Sequence, residues 1–544
     1  MGRGGSFLLS LVSVALLGVQ AAALKQDCYG ATVKISAIHA QHPDEPVLEV
    51  YGYPSAIGRA IPASPTGSMH LELAAPPHAC AAVSPPALPL SAALVSRGEC
   101  DFVQKALALA AAGYSAMILV DSAPGCVFMS ANDTAAAGAL EIQAATITAV
   151  AGRRVRDALR ASPAGLDVGL WAPAPRGPDL AGPLLWALAV GCVALGSALA
   201  AAAQRRALDA APPKDSDSEA EGPRARADPG FVVSRVGAGG FVVVASTLLL
   251  LFYYLDDDWL ASLLTFVFMA ACWSPLAEAL AAAVELALWR APRLRASLND
   301  PAPLPLLGPV GLLQAVSVVA SVTTIEMWRE HRDAGWAWAV QDAMGAALLV
   351  SLLRTVRLPD LATACILLPL AFLYDVWWVF LQPLVTGGPS VMVEVAGGGA
   401  GGPRFPMVLL APTPGLGDNP AMAILGLGDV ALPGLLVVLT WRWDVTQRFL
   451  GARPSHYGPC ALAGYAVGLT ATYAALRVGL FGDAGQPALL YLVPSTLGTT
   501  CALAAARSEL GRLWTADVDP ESLRSGGGPA GEDVEQGRET LLAT

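Results

Sequence analysis

Residues 423–434, "AILGLGDVALPG", place a carboxylate, Asp429, in the middle of an apolar run. A near copy of its core, "GLGD", stands at 415–418. The surroundings separate the two. "PTPGLGDNPAM" sets Asp418 among proline, glycine and asparagine, which are turn residues, and so in a loop. Asp429 runs on into "VALPGLLVVL", which reads as a membrane span. An ionisable group inside a span costs about 2.5–3.5 kcal/mol on insertion scales and is functional by default. Composition agrees with a membrane protein. The 544 residues are 54% hydrophobic and 14% charged, with mean hydropathy +0.53, whereas soluble domains carry about 25% charged residues.

Outward from this stretch, apolar runs long enough to span follow one another from residue 182. They lie at about 182–204, 236–255, 259–287, 305–326, 337–353, 361–382, 420–441, 458–480 and 487–507, nine in all, the third admitting a break at Pro275. Two aspartates stand well within them: Asp429, and Asp375 in "LLPLAFLYDVWWVFL". Glu278 and Glu285 lie toward the end of the third span, within reach of the interface by snorkelling. Counted along ideal helices, Asp375 lies about 14 residues, roughly 21 Å, from one face. Asp429 lies about 9 residues, roughly 14 Å, from the other, so the two acids can meet.

Two carboxyls in one low-dielectric site cannot both ionise easily and share a proton. This is the arrangement of an aspartic protease: one acid activates water, the other hydrogen-bonds the scissile carbonyl. Gly426 and Gly428 loosen the helix beside Asp429 and let a substrate backbone approach. Non-helical backbone at this depth is tolerated only where it is protein-buried or lines water, and a hydrolase needs that water.

The N-terminal part differs. Residues 1–24 read as a secretory signal peptide, with an uncleaved anchor as the alternative. Residues 25–178 hold short β-rich runs between prolines and alanines. Within them "LVSRGECDFVQKALALAAAGYSAMILVDS" (94–122) reads as strand, turn, amphipathic helix and buried strand. Cys28, Cys80, Cys100 and Cys126 are an even set in an oxidising compartment and allow three pairings, among which the sequence does not choose. Asn132 opens a glycosylation sequon. No HExxH or CxxC occurs, so no metal site and no cofactor are expected. The net charge of −11 collects in polar segments, among them the loop 205–232 and the tail 508–544, both read as disordered. With pI near 5.1 and no basic stripe, nucleic-acid binding is excluded.

Orientation follows from charge. Arg205, Arg206, Lys214 and Arg224, then Arg290, Arg293 and Arg295, then Arg354 and Arg357, then Arg442, Arg448 and Arg453 fall on alternate connections. By the positive-inside rule these face the cytosol, which makes the N-terminus lumenal and the C-terminus cytosolic.

The stretch 94–122 resembles the protease-associated (PA) domain, whose members carry RG-x-C-x-F…K…A-x-x-A-G before a buried strand. That resemblance implies a lumenal binding or lid module without chemistry of its own. "LYD" (373–375), "GLGD" (426–429) and "QPALLYLVP" (486–494) resemble, in order and placement, the three motifs of the signal peptide peptidase family, the GxGD intramembrane aspartyl proteases. "WAWAVQDAMG" (336–345), "TVRLPD" (355–360), "SVMVEV" (390–395) and "PMVLL" (406–410) are similar to that family too, and the PA-type domain points to its signal peptide peptidase-like 2 subgroup.

The resemblance implies that Asp375 and Asp429 are the catalytic pair. Tyr374, Gly426, Leu427 and Gly428 are then motif residues around them, and Pro487, Ala488 and Leu489 form the loop that shapes the site. It implies type II single-span membrane proteins as substrates, unwound for cleavage. "SVMVEV" and "PMVLL" are candidates to pair with the unwound substrate as strands; simple loop-flanking strands are the alternative. Two other classes remain for paired intramembrane acids: a proton-coupled transporter, against which no internal repeat is found, and a silent escort of membrane clients. The resemblance favours Golgi, endosomal or lysosomal (vacuolar) membranes, and "TLLAT", being neither KDEL nor a lysine-based retrieval signal, argues against the ER. A homo-oligomer is admitted. The expected architecture is a polytopic all-α membrane protein with nine transmembrane helices over 182–507, preceded by a lumenal α/β domain of PA type.

Overall fold

The computed structural model describes residues 33–515, apart from 40–41, 56, 66, 123–128, 130–139, 164, 174–178, 210–230, 256–257, 300, 305–307, 333, 387–390, 393–405, 414–421, 453–454, 479 and 481–485. The signal peptide, Cys28, Cys126, Asn132, Asp418 and the glycine-rich 396–405 lie outside the described residues, as does the tail from 516.

The N-terminal region is a closed barrel of seven strands, β1 (Val33–His39), β2 (His42–Pro54), β3 (Met69–Leu73), β4 (Ser91–Ser96), β5 (Ala116–Val120), β6 (Gln143–Ile147) and β7 (Leu166–Trp171). Their order is β1-β2-β6-β5-β4-β3-β7. Strands β3, β4, β5 and β6 run parallel, linked to antiparallel neighbours on both sides. All five residues of β5 are buried because both faces are covered, which is why it reads as an unbroken apolar run. Helix α1 (Phe102–Ala112) covers one side and stops at Gly113, whose φ of 98° suits the left-handed helix cap. Helix α2 (Ala149–Ala161) is capped by Thr148, and a Cβ on its Gly152 would lie 2.2 Å from Val120 of β5. A disulfide joins Cys80 to Cys100. Beside it, burial lowers the pKa of the fully buried Lys105, while Glu99 acts in the opposite sense. Its ammonium donates to the carbonyls of His78 and Gly98.

The C-terminal region is helical: α3 (Ala181–Asp209), α4 (Arg235–Leu255), α5 (Asp258–Ala287), α6 (Leu312–Glu330), α7 (Ala337–Thr355), α8 (Leu361–Val376), α9 (Leu427–Phe449), α10 (Tyr457–Val478), α11 (Leu489–Ala506) and the short α12 (Leu510–Thr515). Among the described residues, five segments are long and apolar enough to cross a membrane: Ala181–Asp209, Ser262–Ala287, Leu361–Thr386, Tyr457–Val478 and Leu489–Ala506. Helix α9 carries more charge, with Asp429, Arg442, Asp444 and Arg448. Pro275 stays inside α5 without ending it. Glu278 and Glu285 are ion-paired, with Arg354 at 2.8 Å and Arg295 at 2.9 Å.

Small residues let these helices approach, as packing without a hydrophobic drive requires. A Cβ on Gly196 of α3 would come within 2.8 Å of Leu353 of α7, and one on Gly434 of α9 within 2.9 Å of the same leucine. Three helices thus close on one side chain.

The span expected at 420–441 is corrected. Its first residues form a strand, β9 (Met422–Gly426), paired antiparallel with β8 (Val408–Pro412), and the helix starts only at Leu427. Gly426, with φ −63° and ψ 139°, makes the change of direction. "PMVLL" therefore contributes a strand, whereas Val391 and Met392 of "SVMVEV" are helical and the rest of that stretch lies outside the described residues.

Candidate active site

Asp429 is the third residue of α9, in its first turn. Its carboxylate accepts the backbone N–H of Gly426, the residue that caps the helix. This is the side-chain-to-backbone half of a capping box, and a helix N-terminus favours a negative charge. A Cβ at position 426 would stand 3.1 Å from Asp429 Oδ2, so glycine is what leaves the carboxylate its place. Gly428 is exposed, with nothing within 4 Å of where its Cβ would be, and Asp429 is half-buried beside that open space. The depth counted from residue 420 is therefore replaced: Asp429 stands at a helix end that begins inside the folded region.

Asp375 is the penultimate residue of α8 and only 4% exposed. Its carboxylate accepts the backbone N–H of Leu489 and feels the charge of Asp429. Leu489 is the first residue of α11, with Ala488 as its cap. One free donor of that helix's first turn is thus used on the acid. Ala488 and Leu489 are buried, and the turn is closed by Tyr491 N–H donating to the Ala488 carbonyl at 3.1 Å. Directly after Asp375 the helix widens to a π-helix over Trp377–Leu381, a form that often marks functional positions. Tyr374 packs edge-on to Trp378, ring centroids 6.3 Å apart.

The chain order 375, 429, 489 is therefore folded into one place: two carboxyls in electrostatic contact, each held by a backbone N–H at a helix start. Over residues 227–520 the sequence matches the model of the signal peptide peptidase family.

The chain belongs to the signal peptide peptidase family.

It is accordingly an intramembrane aspartic protease, a hydrolase, and a multi-pass membrane protein. The PA domain model matches residues 68–155, within the barrel. The chain is 33% identical over 474 residues to signal peptide peptidase-like 3 of Oryza sativa subsp. japonica, covering 86% of each chain. It is 31% identical over 426 residues to signal peptide peptidase-like 2 of Arabidopsis thaliana, covering 78% of this chain and 76% of that one. A shorter stretch of 213 residues is 42% identical to signal peptide peptidase-like 2B of Homo sapiens, covering 38% of this chain and 34% of that one.

Three further residues of the helical region are given no role by the sequence reading. Tyr465 and Tyr473 of α10 lie within electrostatic reach of Asp429, and neither hydroxyl has a hydrogen-bond partner among the described residues. As aromatic residues in an apolar span they give no signal of their own. Asp342 of α7 is 6% exposed and accepts the Leu410 N–H of β8 at 2.7 Å. Its signal was present, an acid inside the apolar run 337–353. Among the described residues no group of three His, Cys, Asp or Glu is placed to hold a metal ion.

Proposed function

We propose that this protein hydrolyses peptide bonds within the transmembrane segments of type II single-span membrane proteins, with Asp375 and Asp429 as its catalytic pair and a water as nucleophile. The observation that carries the reading is the meeting of two carboxyls from different helices, each already held by a backbone N–H. One acid, ionised, takes a proton from the water as it attacks the scissile carbonyl carbon. The other, protonated, donates to the carbonyl oxygen and stabilises the tetrahedral intermediate. The proton gained by the first acid passes to the leaving amine, and the pair returns to its shared-proton state.

A helical substrate hides its carbonyls in internal hydrogen bonds and must unwind. Strand β9 favours that step. In an antiparallel pair, the backbone groups of alternate residues face the partner. Val408 O and Leu410 N of β8 bond to α7, so Leu409 and Ala411 face β9. Their partners, Leu425 and Ala423, use the inner edge of β9, which leaves Met422 and Ile424 on an edge that no other strand pairs among the described residues. Ile424 is also 48% exposed. An extended substrate strand added there runs toward Gly426 and Asp429.

The same reading carries nine transmembrane helices, a lumenal N-terminus and a cytosolic C-terminus in an endosomal, lysosomal (vacuolar) or Golgi membrane. The pairing of Glu278 with Arg354 supports the shared side of α5 and α7 ends. The test uses purified protein in liposomes with a labelled single-span peptide in two orientations. Fragments from the type II orientation, with cuts inside the span by mass spectrometry, are expected. Equal cutting of both orientations, or cuts confined to flanking residues, overturns the substrate assignment.

A further inference from the structure

A strand in a membrane domain has two edges, and one edge of β8 is closed by side chains instead of a strand. Gln341 Nε2 donates to the carbonyl of Val408 at 3.0 Å and to that of Pro406 at 3.2 Å. Asp342 Oδ1 accepts the Leu410 N–H at 2.7 Å. Both side chains are buried, Gln341 at 8% and Asp342 at 6% exposure. One turn further along α7, a Cβ on Gly345 would lie 3.2 Å from Leu409 of β8 and 3.4 Å from Leu427, the first residue of α9. The carbonyls of Pro406 and Val408 and the N–H of Leu410 thus find their partners, and Leu409 its close approach, on about one turn of a single helix.

The chemistry of the pair matches the strand edge. Backbone groups that face apolar surroundings without a partner are costly. An amide supplies two hydrogens for two carbonyls, and a carboxyl oxygen supplies the acceptor for one N–H. Replacing either by an apolar residue removes the partner of these backbone groups. Strand β8 in turn fixes β9 through their ladder, and β9 runs without a break into Gly426 and Asp429. Leu427 N–H also donates back to the Met407 carbonyl at 3.2 Å, tying the start of α9 to the residue just before β8.

We propose that Gln341, Asp342 and Gly345 form a latch on α7 that sets the position of β8 and β9, and through them of the substrate strand and of Asp429. They are positioning residues for hydrolysis. The proposal rests on the catalytic reading of Asp375 and Asp429, and it predicts effects on where a substrate is cut as well as how fast. A merely structural role would change the yield of folded protein and leave the cutting position alone.

The experiment compares wild type, Asp342→Leu, Asp342→Asn, Gly345→Ala and Asp429→Ala as full-length protein in liposomes. Three quantities are read: kcat and KM on a type II transmembrane peptide, the cleavage positions by mass spectrometry, and amide hydrogen exchange of peptides covering 406–412 and 422–427. Asp342→Leu is expected to raise exchange of β8 and lower kcat, each by about 10-fold, the weight of one buried hydrogen bond. Its cuts spread over neighbouring bonds. Asp342→Asn keeps the acceptor oxygen and stays within about 3-fold of wild type. Gly345→Ala, a small push on Leu409, shifts the cuts while the protein stays folded, and so judges the latch even if the leucine variant does not fold. Unchanged exchange in β8, unchanged cutting positions in Asp342→Leu and Gly345→Ala, or an asparagine variant no better than leucine overturns the latch. Wild type that cuts nothing overturns the protease reading instead, and the exchange data then still decide whether Asp342 holds β8.

Discussion

The backbone N–H of Leu489 donates to the carboxylate of Asp375. The first turn of one helix therefore holds an acid carried on the last turn of another, and the carboxyl of Asp429 completes the group from a third. Each acid is fixed by main chain, which does not rotate away as a side-chain partner can. Such fixed donors are what electrostatic preorganisation requires.

The two glycines of the 426–429 motif are expected to differ in what they tolerate. At Gly426 an alanine Cβ would crowd Asp429 Oδ2 at 3.1 Å, although its φ of −63° admits any residue. Gly426→Ala should fold normally and lose about 100-fold in kcat/KM, the scale of a misplaced catalytic group. At Gly428 the Cβ meets nothing within 4 Å. Gly428→Ala should raise thermal stability slightly, as alanine does in a helix. If substrate backbone passes through that space, it raises KM while kcat changes less. Thermal unfolding and steady-state kinetics on the two variants check both statements.

Helices α10 and α11 meet over Gly464 and Gly468, four residues apart. A Cβ on Gly468 would lie 2.1 Å from Ser495 Oγ and 3.1 Å from the Leu492 Cα. Gly468→Val should therefore separate the helices, at a cost of about 1–3 kcal/mol for overpacking. Since α11 carries Leu489, cleavage should fall with it. Gly498 of α11 has nothing within 4 Å, so Gly498→Ala is the neutral comparison. Thermal unfolding in detergent with a parallel cleavage assay reads the outcome.

Asp360 caps α8, the helix that ends on Asp375. Its Oδ1 accepts Thr363 N–H at 2.7 Å and its Oδ2 pairs with Arg235 at 2.7 Å. Burial alone pushes its carboxyl up, but the hydrogen bonds from Thr363 and Arg235 and the Arg235 charge outweigh it and hold it below the usual aspartate range. A depressed pKa means that the stabilisation is full above the unfolded value and is lost as pH falls through the folded one. Asp360→Ala should thus cost about 1 kcal/mol near neutral pH, the usual weight of a cap. The difference from wild type should shrink below about pH 4, where the aspartate of the unfolded chain takes up its proton ahead of the folded one. Thermal unfolding as a function of pH tests the sign as well as the size.

How much of this could be read beforehand follows from the residues themselves. Asp375 and Asp429 were legible as candidates because an acid in an apolar run has few explanations. The barrel's 94–122 stretch was legible because turn residues, a helical period and a buried strand follow in sequence. Strand β9 was not: "MAILG" is apolar throughout, and a short apolar run does not distinguish a strand from the start of a span. Only its pairing with β8 decides the matter, and that contact lies ten and more residues away. The π-helix after Asp375 has no sequence signal at all. Asp342 had the same signal as Asp375 and Asp429, an acid in an apolar run, and stood inside the quoted "WAWAVQDAMG" stretch, but nothing in that stretch gave it a role. The count of spans depends on charge: five helices among the described residues satisfy length and hydropathy, whereas α9, which carries Asp429, holds the buried Arg442 and Asp444.

The central claim, that Asp375 and Asp429 act together on a substrate peptide bond, is tested most directly by cleavage of a labelled type II transmembrane peptide in liposomes. Wild type is compared with Asp375→Ala, Asp429→Ala and Asp418→Ala, all confirmed as folded by thermal unfolding. Fragments from wild type and Asp418→Ala, and none from the other two, is the predicted result. Fragment release by Asp375→Ala or Asp429→Ala at the wild-type rate would contradict the account.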